Sequence, residues 1–474
     1  MDNAAELRQA MLAAPLESSS FGEEPLPGTL YIPPSHVKAL RLDVHLVVGG
    51  RGAGKSFWTA ALLSGDLRAI IDGAAPELEN VDIVTGFSGR GDTDAYPNED
   101  VFAKLLGEGY DPYDIWRTVM LRHIIDSRVV PEGYWQDKIT WFKTSPEEAE
   151  RELRSADNSV SRDGRRKLVL FDALDRTSSD WDSMDRIVRG LLRAALWLRS
   201  YTSFHAKIFL RTDQFERTVT DFPDASKLLA TRAELSWARH DLHGLLWQRL
   251  INTQGSHGEV LREAYRSVVG EAPKRVEEIW LLHEEAKRET PLQKQLFEKL
   301  AGPWMGRDRR RGVPYTWSAG HLADGNGQTS PRSFLAALRQ AASDTQERYP
   351  DHERALHYES IKRGIREASE IRVDEISEDY PWVKDVLSCL EGLTVPCEYD
   401  AVIKRWEEKF PDGPDSIATN RLPPQHARRG WDGLREDLSR LGLIEVKSDG
   451  RIDMPDLYRV GFGLGRKGGV KPKG

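Results

Sequence analysis

Only two cysteines, Cys389 and Cys397, occur in 474 residues. Two thiols cannot build a disulfide framework or, alone, a zinc site, so reduced thiols are expected. Long apolar runs are missing as well. Hydrophobic residues make up 39% of the chain, mean hydropathy is −0.54, and no uninterrupted stretch reaches membrane-spanning length. The opening MDNAAELRQAMLAAPLESSS lacks a basic start followed by an apolar core, which argues against a signal peptide. A cytoplasmic protein without a membrane partner is the expectation. Nor is positive charge in excess: 67 Lys and Arg face 75 Asp and Glu, a net −8. That excludes wholesale coating of nucleic acid and leaves room for a local basic surface. Internal repeats and long low-complexity tracts are absent. The length suits two or three domains, each with its own core.

What is present begins with LVVGGRGAGKSFW, Leu46 to Trp58. It fits the phosphate-binding pattern G-x-x-x-x-G-K-[ST] without a mismatch, from Gly49 through Gly54 to Lys55 and Ser56. Glycines let successive backbone N–H groups turn inward around phosphate oxygens. The segment Gly49, Gly50, Arg51, Gly52, Ala53, Gly54, Lys55, Ser56 and Phe57 is therefore predicted to cradle ATP. Lys55 reaches the β- and γ-phosphates, and the Ser56 hydroxyl ligates Mg²⁺. Val44, Leu46, Val47 and Val48 read as a buried strand and SFWTAALLSG as the helix behind the loop, whose positive end lies beneath the phosphates.

A phosphate loop needs a carboxylate on a second strand to complete the Mg²⁺ site. KLVLFD supplies four apolar residues and then Asp172 as the magnesium ligand. Asp175, three residues on, polarises the attacking water or is a carboxylate of the turn. VDIVTGF (81–87), RKLVLFDALDR (166–176), AKIFLRTDQ (206–214) and AELSW (233–237) read as further strands, and SMDRIVRGLLRAALWLRSY as a periodic helix. Alternating strands and helices predict a mostly parallel sheet with helices on both faces. The order of the motifs predicts a strand between the phosphate-loop strand and the aspartate strand.

Over roughly residues 38–342 the chain resembles the AAA+ and STAND branches of P-loop NTPases. DALDR is similar to the D-G-L-D-E pattern of NACHT-type (or KAP-like) STAND ATPases, with Asp172 and Asp175 at the first and fourth positions. Arg176 departs from it, standing where an acid is usual. FLRTDQFE resembles the strand-end sensor segment, which makes Arg211 the reader of the γ-phosphate, beside Thr212 and Asp213. SPRSFLAALRQA (330–341) resembles the sensor-2 helix of the AAA+ lid. That resemblance makes Arg332 a second γ-phosphate group; otherwise it is a helix-start arginine bonded to a carboxylate. Arg217 and Arg232 are arginine-finger candidates by position only.

The predicted organisation is an N-terminal arm (1–40), a P-loop NTPase core (41–240) with an insertion (88–166), a helical lid (241–375) and a C-terminal domain (376–474). Arg90–Gly91–Asp92 is a chance match. Arg307, Arg309, Arg310 and Arg311 form a cluster that grips phosphate or an acidic partner, or is a solvated loop. YPWVKDVLSCLEGL, EYDAVIKRWEEKF and WDGLREDLSRLGLIEV give three helices, and Asp449–Gly450 signals a two-residue hairpin turn. Three helices and a hairpin resemble a winged helix. Its third helix carries Arg435 and Arg440 beside Asp432, Glu436 and Asp437, a poor face for phosphate. The tail holds Arg466, Lys467, Lys471 and Lys473 without an acid. The fold class is thus α/β: a parallel P-loop NTPase sheet of the additional-strand type, with helical lid and a winged-helix-like domain. The leading expectation is an ATP- and Mg²⁺-dependent ATPase switch acting on a protein partner or on its own oligomer. The STAND resemblance implies a bacterial sensing or antiviral defence setting. The alternative is a DNA-binding AAA+ ATPase, like the origin-recognition initiators, that reads DNA through the winged helix. A small-molecule kinase is a third reading.

Overall fold

Five strands form one sheet in the computed structural model: β1 (Leu46–Gly49), β2 (Val81–Phe87), β3 (Arg166–Phe171), β4 (Phe204–Arg211) and β5 (Ala233–Leu235). The order is β2-β3-β4-β1-β5, and every pairing is parallel. The structure describes residues 4–17, 25–71, 73–125, 129–215, 217–467 and 470. Parallel strands lie under helices on both faces, which is why β1 and the ends of β3 and β4 read as unbroken apolar runs and are buried throughout. The expected additional strand is β4, placed between β1 and β3.

The chain divides into two units. One holds Ser20–Pro25 and Ile32–Ser236; the other holds Met1–Ser19, Leu26–Tyr31 and Trp237–Gly474. In the first unit, helix Lys55–Leu63 follows β1 and helix Trp181–Leu198 crosses from β3 to β4. Residues 88–165 contribute helices Glu99–Gly107, Pro112–Ile124, Trp135–Thr144 and Pro146–Arg162. An aromatic cluster fastens them to the sheet: Trp116 meets Phe87, Phe102 and Phe171 at ring distances of 5.7, 5.1 and 5.5 Å. Helix Pro34–Leu40, which begins with prolines preset for a first turn, packs on β5.

The second unit is helical. Helix Ala4–Ala13, at the start of the expected arm, packs on Gly255–Val269 and on Pro331–Arg348. Buried Arg8 holds it there, donating to the carbonyls of Ala355, Pro350 and Arg354 at 3.0 Å each. An antiparallel hairpin, β6 (Lys274–Val276) and β7 (Ile279–Leu281), interrupts the helices. Its three-residue strands are too short to show a period in the sequence.

The C-terminal part is a winged helix: Pro381–Ser388, Tyr399–Lys409 and Trp431–Arg440, then β8 (Glu445–Val446) and β9 (Ile452–Asp453). Trp382, Trp406, Leu434 and Leu438 fill its core, with both indoles donating to backbone carbonyls at 3.0 Å. The wing turn differs from the two-residue expectation. Lys447 N–H reaches Arg451 and Gly450 N–H reaches Lys447, so Ser448, Asp449 and Gly450 make a three-residue loop. Gly450 takes φ +85, as such a loop requires after its first turn. Both cysteines are free. Among the described residues, no helix is long and apolar enough to cross a membrane.

Candidate nucleotide site

The loop after β1 has the backbone a phosphate cradle needs. Gly52 and Gly54 sit at φ +75 and +103, and Gly54 is the N-cap of helix Lys55–Leu63. In the left-handed region a side chain would strain the turn that brings N–H groups inward. Register then collects the polar groups. Gly49 pairs with Arg211, and Phe171 with Ile208, so the carboxyl ends of β1, β3 and β4 form one rim, where ligands of open parallel sheets bind.

Half-buried Lys55 folds back over the loop and donates to the Gly49 and Gly50 carbonyls at 2.9 and 2.8 Å. Burial, and next the Arg211 charge, push Lys55 down to about 8 against the pull of Asp172, Asp213 and Asp175. Asp172 is 5% exposed and its N–H donates to Phe87 at 3.0 Å. Burial raises the Asp172 pKa, while hydrogen bonds from the Ser56 hydroxyl and the Ala173 N–H, and the Lys55 charge, hold it back. Ala173 stands at φ 57, where the D-G-L-D-E pattern has glycine. For alanine this backbone costs about 1–2 kcal/mol, a strain of the kind found at working sites.

The turn Leu174–Arg176 follows. Asp175 lies 3.8 Å from the Arg211 guanidinium, which also donates to Asp213 at 3.1 Å. Arg176, at the position expected to be acidic, donates to the Gly89 carbonyl at 3.0 Å and so ties the turn to the loop after β2. Phe57 sits edge-on to Trp58 at 5.5 Å. Lys55, Ser56, Asp172, Asp175 and Arg211 are thus brought together. Arg332 is in the other unit, on helix Pro331–Arg348, and its guanidinium bonds Glu375 at 2.8 Å. Arg232 lies over the Phe215 ring at 5.0 Å. The side chain of Arg217, like Lys471 and Lys473 of the tail, lies outside the described residues.

Two supporting residues escaped the sequence reading. Buried His36 bonds the Ser236 carbonyl through Nε2 at 3.0 Å and accepts from Trp58 Nε1 at 3.0 Å. Burial pushes His36 down to about 4, so the ring is neutral and links the segment before β1 to the helix after the loop. Lys207, fully buried on β4, donates to the carbonyls of Ala39, Arg41 and Val44 at 2.7–2.8 Å. Pro33 and Pro34 suit a helix start, a signal that could have placed His36 on a helix, yet nothing in the sequence names the partners of either residue.

The set fits ATP with Mg²⁺. Gly52 and Gly54 turn the loop through the left-handed region that a phosphate cradle needs, and Ser56 lies close enough to Asp172 to help hold its pKa down. Among the described residues no group of three or more His, Cys, Asp or Glu side chains could hold a metal. Mg²⁺ needs none, because it takes most of its ligands from phosphates and water.

No family model matches the chain, and no curated protein matches it. Three solved structures are similar over most of its length. The ORC2 protein of Aeropyrum pernix, described as ADPNP–ADP complexes, shows 13% identity and a TM-score of 0.41, covering 90% of this chain and 92% of that one. Cdc6p from Pyrobaculum aerophilum shows 12% identity and a TM-score of 0.29, covering 94% and 93%. The ORC1 protein of Aeropyrum pernix in complex with DNA shows 14% identity and a TM-score of 0.33, covering 95% and 88%. At these scores the likeness carries no functional argument. The chain's own strand order and phosphate loop make it a P-loop NTPase fold with the additional strand, helical lid and winged helix.

Proposed function

We propose that this chain is an AAA+-type ATPase that binds ATP with Mg²⁺ and hydrolyses it slowly. The observation that supports this most is the convergence of Lys55, Ser56, Asp172, Asp175 and Arg211 at the ends of three adjacent strands. Lys55 exchanges two neutral carbonyls for β/γ-phosphate oxygens, a stronger, charge-assisted pairing. Mg²⁺, held by Ser56 and Asp172, would neutralise charge on the phosphates. Asp175 orients a water and accepts its proton as the water oxygen bonds the γ-phosphorus and the bond to the bridging oxygen breaks. Arg211 faces the charge that develops on the transferred group. Slowness follows from Arg176 in the usual acidic position, which leaves Asp175, 3.8 Å from the Arg211 guanidinium, as the turn's remaining carboxylate. Calorimetry with ATP and a turnover assay test the reading: wild-type binding and turnover in Lys55→Ala would overturn it.

For the output we infer association with DNA. A core followed by a helical lid and a winged helix is the arrangement of the initiator-type AAA+ proteins that the chain resembles, and the lid carries an exposed arginine cluster. That one similar structure is described in complex with DNA lends no weight at its score. Stimulation of turnover by duplex DNA, with steep salt dependence of binding, is the expected result. A specific observation favours a second reading, a switch on a protein partner or on further copies. Three arginines at the third helix and wing are paired internally: Arg435 with Asp432 at 3.1 Å, Arg429 with Glu436 at 2.7 Å and Arg451 with Asp449 at 2.8 Å. Under either reading Arg332 would leave Glu375 for the γ-phosphate and couple the lid to ATP, so Arg332→Ala would blunt the difference between ATP and ADP states. The STAND placement rests on DALDR alone, and the defence setting it implied has no structural support.

A further inference from the structure

The helical region carries a charged loop that the ATPase chemistry does not use. Residues 305–312, MGRDRRRG, close on themselves: buried Met305 donates its N–H to the Gly312 carbonyl at 2.9 Å. Gly306 at φ +156 and Gly312 at φ +98 form the two necks. Between them Arg309–Arg311 make one tight turn, capped by Asp308, whose carboxylate accepts from the Arg310 N–H at 2.8 Å. The loop's one acid is therefore engaged with backbone. Arg307, Arg309, Arg310 and Arg311 are all exposed, and none forms an ion pair among the described residues. The chain has more acids than bases, 75 against 67, so four unpaired arginines on one pinned turn are not a compositional accident. Like charges so close repel one another, and a polyanion relieves that repulsion.

We propose that the Arg307–Arg311 loop grips the phosphate backbone of duplex DNA, an inference that rests on the DNA-association reading. Arginine suits the role: its planar fork meets phosphate oxygens in pairs, and it keeps its charge at any working pH. A protein partner fits less well. Stable protein interfaces centre on aromatic or aliphatic anchors, and the large exposed apolar side chains of this unit, Leu26, Val276, Ile371 and Val446, all lie outside the loop. Contacts of this kind position the protein on DNA without reading its sequence. Arg429, Arg435 and Arg451 of the winged helix, tied to carboxylates, are poorer phosphate ligands than this loop.

The test uses the full chain and a fluorescently labelled duplex of arbitrary sequence, with anisotropy followed through a KCl titration in ATP and in ADP. Replacing Arg307, Arg309, Arg310 and Arg311 together by Gln is expected to weaken binding about tenfold or more at low salt. The slope of log affinity against log salt should fall by about 3.6, since each neutralised phosphate contributes about 0.9. Arg309→Gln or Arg311→Gln alone should each lower it by about 0.9, a check that holds if the fourfold variant misfolds. Basal ATP turnover should stay unchanged, because all four side chains are exposed and outside the nucleotide site. Wild-type duplex binding that survives the fourfold change with its slope intact overturns the loop assignment and leaves DNA association standing. A wild-type chain that binds no duplex in either nucleotide overturns both.

Discussion

Lys55 of the nucleotide loop and four cations of the winged helix are held in opposite ways. Lys55 rests on two neutral carbonyls, partners it can give up when a phosphate arrives. In the winged helix, Arg435, Arg429, Arg451 and Lys447 each sit within 3.1 Å of a carboxylate. An exposed ion pair is worth little to stability, about 0–1 kcal/mol, yet it still competes with an incoming phosphate. A cation kept for an anionic ligand is held lightly; a cation held by an acid shapes a surface. By that measure the loop at 307–311 belongs with Lys55 rather than with the winged helix.

The largest expected effect sharpens this contrast. Lys55→Ala should weaken ATP binding about a hundredfold, within the 2–5 kcal/mol scale of losing one partner of a buried charge-assisted pair, as read by calorimetry. Asp175→Asn should keep ATP affinity within a few-fold while turnover drops about a hundredfold, the scale of a lost general base. An unchanged rate would move the base elsewhere, to the residues 88–166 for instance.

Next comes pH. ATP favours the charged form of Lys55, which burial holds near about 8 in the free protein. Below that value the lysine is already protonated and affinity should be flat. Above it, binding must first take up a proton, so affinity should fall by up to about tenfold per pH unit, until the pH passes the raised pKa of the bound lysine. Calorimetry at pH 8.5 to 9 in buffers of different ionisation enthalpy should show that uptake; its absence would mean that the lysine is charged throughout. A smaller effect is expected at Ala173, whose φ of 57 suits glycine. Ala173→Gly should raise unfolding free energy by about 0.5–1 kcal/mol, the relieved strain less the entropy glycine loses on folding. The smallest is Arg435→Gln, which should alter duplex affinity less than about twofold because its charge is already answered by Asp432. A large loss there would break the contrast and return the winged helix to the role of reader.

Much of the nucleotide site was legible because its chemistry is local. Gly49 to Ser56 is one uninterrupted run whose glycines, lysine and serine each answer a requirement of phosphate binding. Asp172 was legible because an apolar strand ending in a carboxylate has few other uses beside such a loop. Arg211 was legible only through resemblance, and its bonds to Asp213 and toward Asp175 needed the register of β4 against β1. His36 and Lys207 were not legible, since all of their partners but the Trp58 indole are backbone carbonyls, which leave no mark in a sequence. The wing showed its position through Asp449–Gly450 but not its loop length, because two- and three-residue turns both favour that pair.

The sequence by itself determined the phosphate loop, the aspartate strand and the alternation of strands and helices, since each depends on residue type and short-range spacing. Tertiary structure decided what the charges do. The acids beside the third-helix arginines stand close in sequence, Asp432 to Arg435 and Glu436 to Arg429. For the 307–311 loop only the fold shows that its arginines stay exposed, because whether a carboxylate reaches them depends on which distant segments pack beside the loop.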